Sequence, residues 1–283
     1  MKRNFDPIVV VENDGLQIHS SHIWSKQKYK LVGGYCNIFT RAMRKEWEIL
    51  VYVDLYSGPG YTQIVETNRI LKTSPLIALS LPNPFDVYIF CDENEQYLDT
   101  LQKRVSRDFP DKVTHFIKGN CNNIIEEVKN RIPLHGKGKR VLTFCFADPF
   151  DLNLEFKTIE QLSSNKLVDF LILQAYYMDA NRNYENYLND DNNKIAKFLG
   201  DNDWRKKFHA SDLYPNNFVQ FLTNAYDVNM KRLAYLDPLR NSIKLPFKNV
   251  KLYYLSFYSK HPRGNDLYKK VQLYADDQFT LGL

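Results

Sequence analysis

The chain has 283 residues, of which 44% are hydrophobic, and a formal net charge of +5. This length supports one substantial core, and no proline- or glycine-rich seam divides it, so we expect a single domain over 1–283. No apolar run approaches the length of a membrane span and the start lacks an apolar signal core, which predicts a cytoplasmic protein without membrane contact. Basic and acidic residues are interspersed, which permits nucleic-acid contact without indicating it.

An amphipathic segment precedes the first predicted strand. Residues 22–48 place apolar side chains at helical spacing, with lysines and arginines on the remaining faces. Gly33 and Gly34 fall in its middle and predict a kink, because each glycine destabilises a helix by about 1 kcal/mol. The N-terminal helical region, about 1–48, therefore either forms a lid over a ligand or contacts nucleic acid through its bases, with ordinary solvated surface as the alternative.

Two histidines stand close together in this region. His19 and His22 have no further cysteine or carboxylate cluster beside them, so no metal site is predicted. His22 and Trp24 are interpreted as packed residues, with a position at the mouth of a ligand site as the alternative.

The most informative stretch is the apolar run that ends in a glycine-rich turn over 51–60. A strand followed by such a turn is where a doubly wound α/β sheet binds a nucleotide-like ligand. A phosphate loop and a dinucleotide fingerprint are disfavoured, because no lysine follows Gly60 and Pro59 removes a backbone donor. The pattern suits S-adenosylmethionine, with a plain surface turn as the alternative. The candidate cofactor residues of this turn are Asp54, Tyr56, Ser57, Gly58, Pro59 and Gly60.

Three further apolar runs end in polar residues in the same way. Since ligands sit outside the carboxyl ends of parallel strands, we expect these endings to line one crevice, although such residues also serve as helix caps. Asp92, with Glu93, would hold the ribose hydroxyls, and Asn120 would meet the adenine amino group. The runs are 87–91 before Asp92, 113–117 before Asn120, and 141–147 before Asp148.

The last of these endings is the candidate catalytic motif. Asp148, Pro149 and Phe150 are similar to the Asp-Pro-Pro-Tyr signature of amino-group methyltransferases, in which the carboxylate and proline carbonyl hold the substrate nitrogen and the aromatic ring stacks on the substrate base. The second proline is missing here. The alternative is that Asp148 caps the next helix and Phe150 packs in the core.

The remaining elements complete an α/β sheet with a helical insertion. The sequence predicts a fifth strand at 168–175, a helical insertion over about 178–245, and a terminal hairpin formed by 250–258 and 270–274. The core sheet is thus expected over about 50–175 and 248–276. The cysteines show no metal or redox spacing and are expected to be buried reduced thiols; they are Cys36, Cys91, Cys121 and Cys145.

Several motifs together resemble one bacterial family, the three-Cys-motif partner proteins (TcmP). The resemblance implies a Rossmann-like S-adenosylmethionine-dependent methyltransferase fold and a separate partner, a three-Cys-motif protein of the iron–sulfur type. The motifs that carry it are His22-x-Trp24-Ser25-x-x-Lys28, the turn 52–60, Ser74 to Leu79, Phe146 to Phe150, and Tyr253 to His261.

The sequence therefore predicts a methyltransferase that acts on an unknown acceptor, either nucleic acid or protein. Methyl transfer requires the acceptor to be aligned and its proton accepted, and Asp148 is the candidate for holding it. The alternative is a non-catalytic module that binds S-adenosylmethionine or a partner protein. A two-metal nuclease is disfavoured because no suitable cluster of Asp, Glu and His occurs.

Overall fold

A computed structural model of the chain describes residues 5–136, 138–245 and 250–280, with side chains up to Leu273. In this part of the chain the strands are β1 (Val10–Val11), β2 (His19–Ser21), β3 (Ile49–Asp54), β4 (Tyr61–Ile64), β5 (Ile70–Lys72), β6 (Val87–Asp92), β7 (Thr114–Lys118), β8 (Val141–Ala147), β9 (Val168–Gln174), β10 (Leu239–Lys244) and β11 (Lys251–Tyr258).

The helices are α1 (Ser25–Met43), α2 (Ser74–Leu79), α3 (Glu95–Asp108), α4 (Cys121–Arg131), α5 (Phe156–Ser163), α6 (Tyr184–Leu188), α7 (Lys194–Leu199), α8 (Trp204–His209), α9 (Phe218–Arg232) and α10 (Pro262–Thr280). A π-helical turn, Tyr176–Ala180, follows β9.

The described residues form a main sheet of seven strands in the order β10-β11-β9-β8-β3-β6-β7. Strands β3, β6, β7, β8 and β9 are parallel, and β11 is antiparallel to both of its neighbours. The chain leaves β3 towards β6 and β7, then returns to place β8 on the other side of β3. The strand order thus reverses at β3, the position where doubly wound sheets bind ligands. The predicted Rossmann-like α/β fold class is confirmed.

The centre of this sheet is covered on both faces. Every residue of β8 and β9 is buried, as expected for parallel strands with helices on either side. Tyr35 of α1 packs its ring 4.8 Å from that of Phe144 in β8 and 4.6 Å from that of Phe257 in β11. These contacts hold α1 across the sheet. The cysteines are buried and unpaired, as predicted.

A second, smaller sheet was not predicted. Among the described residues it has the order β1-β5-β4-β2. Strand β4 directly follows the glycine turn, and β2 runs parallel to it. Arg104 of α3 fixes the N-terminal segment to that turn. Its buried guanidinium donates to both carboxylate oxygens of Asp14, at 2.9 and 2.7 Å, and to the carbonyls of Gln17 and Pro59.

Helix α1 corrects one prediction. It runs from Ser25 to Met43 through Gly33 and Gly34, so the interruption expected at these glycines does not break the helix. The glycines allow close packing: a Cβ on Gly33 would overlap Pro7 and Ile77, and one on Gly34 would lie 2.9 Å from Val271. Of the predicted region 1–48, residues 1–4 lie outside the described residues.

The C-terminal hairpin was assigned to the wrong segments. Residues 270–274 lie in α10, where Tyr268 and Val271 face α1, and the hairpin partner of β11 is β10, inside the region predicted as a helical insertion. Strand β10 was missed because it reads Leu-Arg-Asn-Ser-Ile-Lys, with too few apolar residues to indicate a strand. The first residues of the predicted segment 248–276 lie outside the described residues.

The described part of the chain offers no helix with the length and apolar character needed to cross a membrane.

Candidate functional site

A cavity of about 590 Å³ opens at the carboxyl ends of β3, β6 and β8. Its walls come from distant parts of the chain: the segment from His19 to Tyr29, the glycine turn, the end of β6, the residues after β8, and Tyr253 of β11. This volume lies within the range of small-molecule sites, about 300 to 1,000 Å³. The topology had indicated this edge of the sheet as the ligand-binding position.

The glycine turn is tied to the end of β6 by hydrogen bonds. The Gly58 backbone N–H donates to Oδ2 of Asp92 at 2.7 Å, and the Asn94 N–H donates to Oδ1 at 2.9 Å. Gly58 has a φ of +60°, which favours glycine. Burial raises the pKa of Asp92, partly offset by these backbone donors. Asp92 therefore fixes the shape of the turn. Because it also lines the cavity, its carboxylate can accept further hydrogen bonds from a ligand there.

Most of the predicted site residues line this one cavity. They are Tyr56, Ser57, Gly58, Asp92, Glu93, Asp148, Pro149 and Phe150. The structure does not place Asp54, Pro59, Gly60 or Asn120 on the cavity wall.

Asp54 lies beneath the turn instead of in the cavity. Its side chain is fully buried, with its carboxylate accepting a hydrogen bond from the Tyr52 hydroxyl at 3.0 Å and a longer one from the Tyr56 N–H. Burial raises the pKa of Asp54 to about 7, although the hydrogen bonds oppose that rise. Its position supports the turn from below.

The other two turn residues also serve the packing of the turn. Pro59 accepts a 2.6 Å hydrogen bond from Arg104 through its carbonyl. A Cβ on Gly60, whose φ is +90°, would come within 2.9 Å of the side chains of Leu76 and Leu101. Glycine at this position thus allows the turn to approach the helices behind it.

Asn120 reaches the site only through a neighbour. Its Oδ1 accepts from the Asn122 N–H at 3.0 Å, capping α4, and its Nδ2 donates to Glu93 at 3.1 Å. Glu93 lines the cavity, so Asn120 orients a wall residue.

The carboxylate of Asp148 is paired with a lysine that the sequence placed in a motif near the start but not at the site. Lys28 of α1 donates from Nζ to Oδ2 of Asp148 at 2.5 Å, and the two side chains are only 11% and 18% exposed. Burial opposes the charge on Lys28, but the neighbouring Asp148 outweighs it and raises the pKa of the lysine. The cavity thus contains a compensated ion pair at the predicted catalytic position.

The structural alternative for this motif is wrong on both points. Asp148 does not cap the following helix, because α5 begins at Phe156 with Glu155 at its N-cap. Phe150 is not in the core: its side chain is 95% exposed at the rim of the cavity. An aromatic ring exposed to this extent beside a cavity is available to stack on a ligand.

His19 is a second cavity residue that the sequence did not identify. Its Nδ1 is buried without a hydrogen-bond partner. Burial lowers the pKa of His19 to about 4, the positive charge of Lys28 adds to the effect, and Asp148 opposes it. The imidazole is therefore neutral near pH 7, and its buried Nδ1 is left without a hydrogen-bond partner among the described residues. That His19 lies three residues before His22 in the sequence did not indicate this role.

His22 takes a different position. It hydrogen-bonds Glu66 at 3.0 Å and stacks on Trp24 with ring centroids 4.2 Å apart, and both aromatic residues line the cavity. Among the described residues, no group of three His, Cys, Asp or Glu side chains is arranged to hold a metal ion.

Comparison with known proteins supports the fold but not a family. No family model matches the chain, and no curated protein matches it either. Among solved structures, the protein LPL1258 from Legionella pneumophila has a TM-score of 0.52 at 10% identity, covering 89% of this chain and 91% of that one. At this identity the likeness shows the fold alone.

Two O-methyltransferases are also similar. The enzyme from Bacillus cereus, in complex with SAH, has a TM-score of 0.47 at 9% identity, covering 87% of this chain and 85% of that one. TomG from Streptomyces achromogenes, in complex with SAM, has a TM-score of 0.46 at 8% identity, covering 89% and 92%.

Proposed function

We propose that the chain is an S-adenosylmethionine-dependent methyltransferase. The observation that carries the proposal is the hydrogen bond from the Gly58 N–H to Asp92, which joins the glycine turn of β3 to the acidic end of β6 at the wall of one cavity. Turns of this kind bind nucleotide-like ligands at the point where strand order reverses. Asp92 and Glu93 accept the ribose hydroxyls, and Ser57 and Gly58 allow close approach of the backbone.

The acceptor would bind at the β8 end of the cavity. When bound, S-adenosylmethionine supplies a methyl group already activated on a sulfonium. Lys28 and Asp148 hold the acceptor by hydrogen bonds, and neutral His19 offers a ring nitrogen to its hydroxyl or amine proton. Phe150 covers the acceptor from the rim. The chain thus supplies alignment and a proton path, which is what methyl transfer requires of a protein.

Calorimetry with S-adenosylmethionine and S-adenosylhomocysteine tests the cofactor site. Glu93→Gln keeps the shape of this wall residue and removes its negative charge. Asp92→Asn also removes a negative charge, and its amide oxygen can still accept from one of the two backbone N–H groups. Both variants should weaken binding, by about tenfold or more for Asp92→Asn, which loses a charged partner of hydroxyl groups. Asp203→Asn, on a surface residue whose side chain is 68% exposed, is the control and should bind as the wild type does.

Absence of saturable binding by folded wild-type protein would overturn the proposal. Equal binding by wild type and both site variants would place the cofactor elsewhere.

One observation favours a second candidate, a non-catalytic module that binds S-adenosylmethionine. The ammonium of Lys28 already occupies a hydrogen-bonding position on Asp148, where an acceptor amine would be held. Cofactor binding without methyl transfer to RNA or protein acceptors, in wild type and in Lys28→Met alike, would favour the module.

We propose further that the chain belongs to the three-Cys-motif partner family and works with a three-Cys-motif protein of the iron–sulfur type. The support is the set of motifs distributed from His22 to His261. Mixing this chain with the purified three-Cys-motif protein and measuring the mass of the complex by light scattering tests it. A single species with the summed mass is expected, and two independent species would contradict the proposal.

A further inference from the structure

A second cleft, separate from the candidate site, has a different chemistry. It has a volume of about 740 Å³ and lies between β10, β11, the π-helical turn and the start of α9. We call it the tyrosine–amide cleft, defined by Tyr177, Tyr254, Asn181, Asn217, Arg240 and Lys251.

Aromatic rings form one wall of this cleft. The rings of Tyr177 and Tyr254 meet edge to face with centroids 5.6 Å apart, and their hydroxyls lie 3.1 Å apart within hydrogen-bond distance. Nζ of Lys251 lies 5.6 Å from the centroid of Tyr177 and 5.9 Å from that of Tyr254. The two tyrosines are therefore held rigidly, with a cation beside them.

The polar groups of the cleft favour an anionic ligand that carries hydrogen-bonding edges. Among the described residues that line it, none is Asp or Glu. Arg240 is paired with Asp227 through Nη2, and its Nε is buried without a hydrogen-bond partner. Asn181 and Asn217 add amide donors and acceptors, the groups that pair with the edges of nucleobases.

The cleft and the cavity lie on opposite faces of the sheet at its carboxyl edge. Tyr253 lines the cavity and Tyr254 the cleft, and in the π-helical turn Met178 lines the cavity and Tyr177 the cleft. Because successive residues of a strand point to opposite faces, a ligand that reached both sites would have to pass over the edge of the sheet.

We propose that the tyrosine–amide cleft binds single-stranded nucleic acid, on the opposite face of the sheet from the proposed methyl-transfer site. Aromatic rings stack on bases, amides meet base edges, and Lys251 faces a phosphate, which is the combination that binds single strands. An acidic peptide would use the cations but not the stacking surface. The assignment of this nucleic acid as the acceptor rests on the proposed methyltransferase function; its binding does not.

Fluorescence anisotropy with a labelled single-stranded RNA of about 12 nucleotides tests the binding, with the DNA of the same sequence as a second probe. Lys251→Ala should weaken binding and reduce the slope of log affinity against log salt by about 0.7. Lys206→Ala, which removes a lysine that is 87% exposed elsewhere, should change neither quantity.

The stacking surface is tested with two substitutions at one position. Tyr177→Ala should weaken binding about tenfold, whereas Tyr177→Phe, which keeps the ring, should bind nearly as the wild type does. Circular dichroism confirms that each variant is folded. Preference for RNA over DNA would indicate that the 2′-hydroxyl is read.

Three results would overturn the proposal: no binding of either strand at low salt, equal losses for Lys251→Ala and Lys206→Ala, or displacement of the RNA by polyglutamate at equal charge concentration. Asp92→Asn separates the two proposals, because it should lose S-adenosylmethionine binding and keep RNA binding. RNA binding without any cofactor binding would support the proposal for the cleft and contradict the proposed methyltransferase function.

Discussion

Lys28 and Asp148 form a buried ion pair across 120 residues of sequence. Lys28 lies in the first turn of α1, and Asp148 directly follows β8. The pair therefore fastens the N-terminal helix over the candidate catalytic motif. Lys28, which the sequence analysis named only in the motif from His22 to Lys28, is thus part of the cavity wall.

Breaking this pair should destabilise the protein. Lys28→Met leaves the Asp148 carboxylate buried without its partner, and we expect a loss of about 3 kcal/mol in the free energy of unfolding, measured with urea. Lys197→Met breaks the ion pair between Lys197, whose side chain is 54% exposed, and Glu155. This variant should lower the free energy of unfolding by less than about 1 kcal/mol. Similar losses for the two variants would contradict the burial argument.

His19 should make stability depend on pH in the acidic range. Its pKa is lowered to about 4 in the folded protein, against about 6.5 when unfolded. The unfolded state therefore binds the proton first, and stability is lost as pH falls from about 6.5 to about 4. Relative to His19→Gln, the wild type should lose about 3 kcal/mol over this interval. Urea denaturation of both proteins at several pH values measures it, and parallel pH profiles would refute it.

Asp54 should act in the opposite direction. Because burial raises its pKa to about 7, its contribution to stability is complete below about pH 4 and is lost as pH rises to about 7. Asp54→Asn cannot ionise, so the wild type should lose about 4 kcal/mol relative to the variant across this range. Urea denaturation of both proteins at pH 5 and pH 8 measures it, and about 3 kcal/mol of the loss falls between these two pH values. A difference independent of pH would show that Asp54 does not titrate in this way.

Gly33→Ala should destabilise the protein although alanine favours helices. The propensity gain of about 1 kcal/mol is opposed by overlap of the new Cβ with Pro7 and Ile77, which costs about 1 to 3 kcal/mol. A lowered thermal midpoint is expected. Gly136→Ala is the control, since a Cβ there meets nothing within 4 Å, and its midpoint should stay close to that of the wild type.

Phe150→Ala should leave folding intact, because the ring is 95% exposed. The free energy of unfolding should change by less than about 0.5 kcal/mol and S-adenosylmethionine binding should be unchanged. Binding of the acceptor should weaken, as measured by RNA anisotropy in the presence of S-adenosylhomocysteine. Loss of stability would mean that Phe150 is a packing residue, and unchanged RNA binding would remove it from the acceptor site.

The strand ends of the candidate site could be predicted because each depends on a short stretch of sequence. An apolar run that ends at Asp92 or Asp148 is visible within about ten residues, and the parallel topology then brings such endings to one edge. Local pattern likewise identified β3, β6, β8 and β9. The local pattern did not predict the polar strand β10, because its pairing with β11, and not its own composition, makes it a strand.

The residues that complete the cavity depend on contacts between distant segments. His19 and Lys28 reach the site because β2 pairs with β4 and α1 crosses the sheet, and neither contact leaves a periodic signal in the sequence. The packing of Gly60 could not be predicted either, since only the structure shows that the side chains of Leu76 and Leu101 come close to its backbone. Local sequence indicates which side chains end a strand, but not which segment closes the pocket above them.

The anchoring of the N-terminal segment by Arg104 has a consequence for synthesis on the ribosome. Asp14 is made 90 residues before the arginine that holds it. At about 5 to 20 residues per second, the segment waits roughly 5 to 18 seconds for its partner. Lys28 waits longer still, because its partner Asp148 is made 120 residues after it. The cavity wall that is made first thus gains its full set of contacts only after Asp148 has been made.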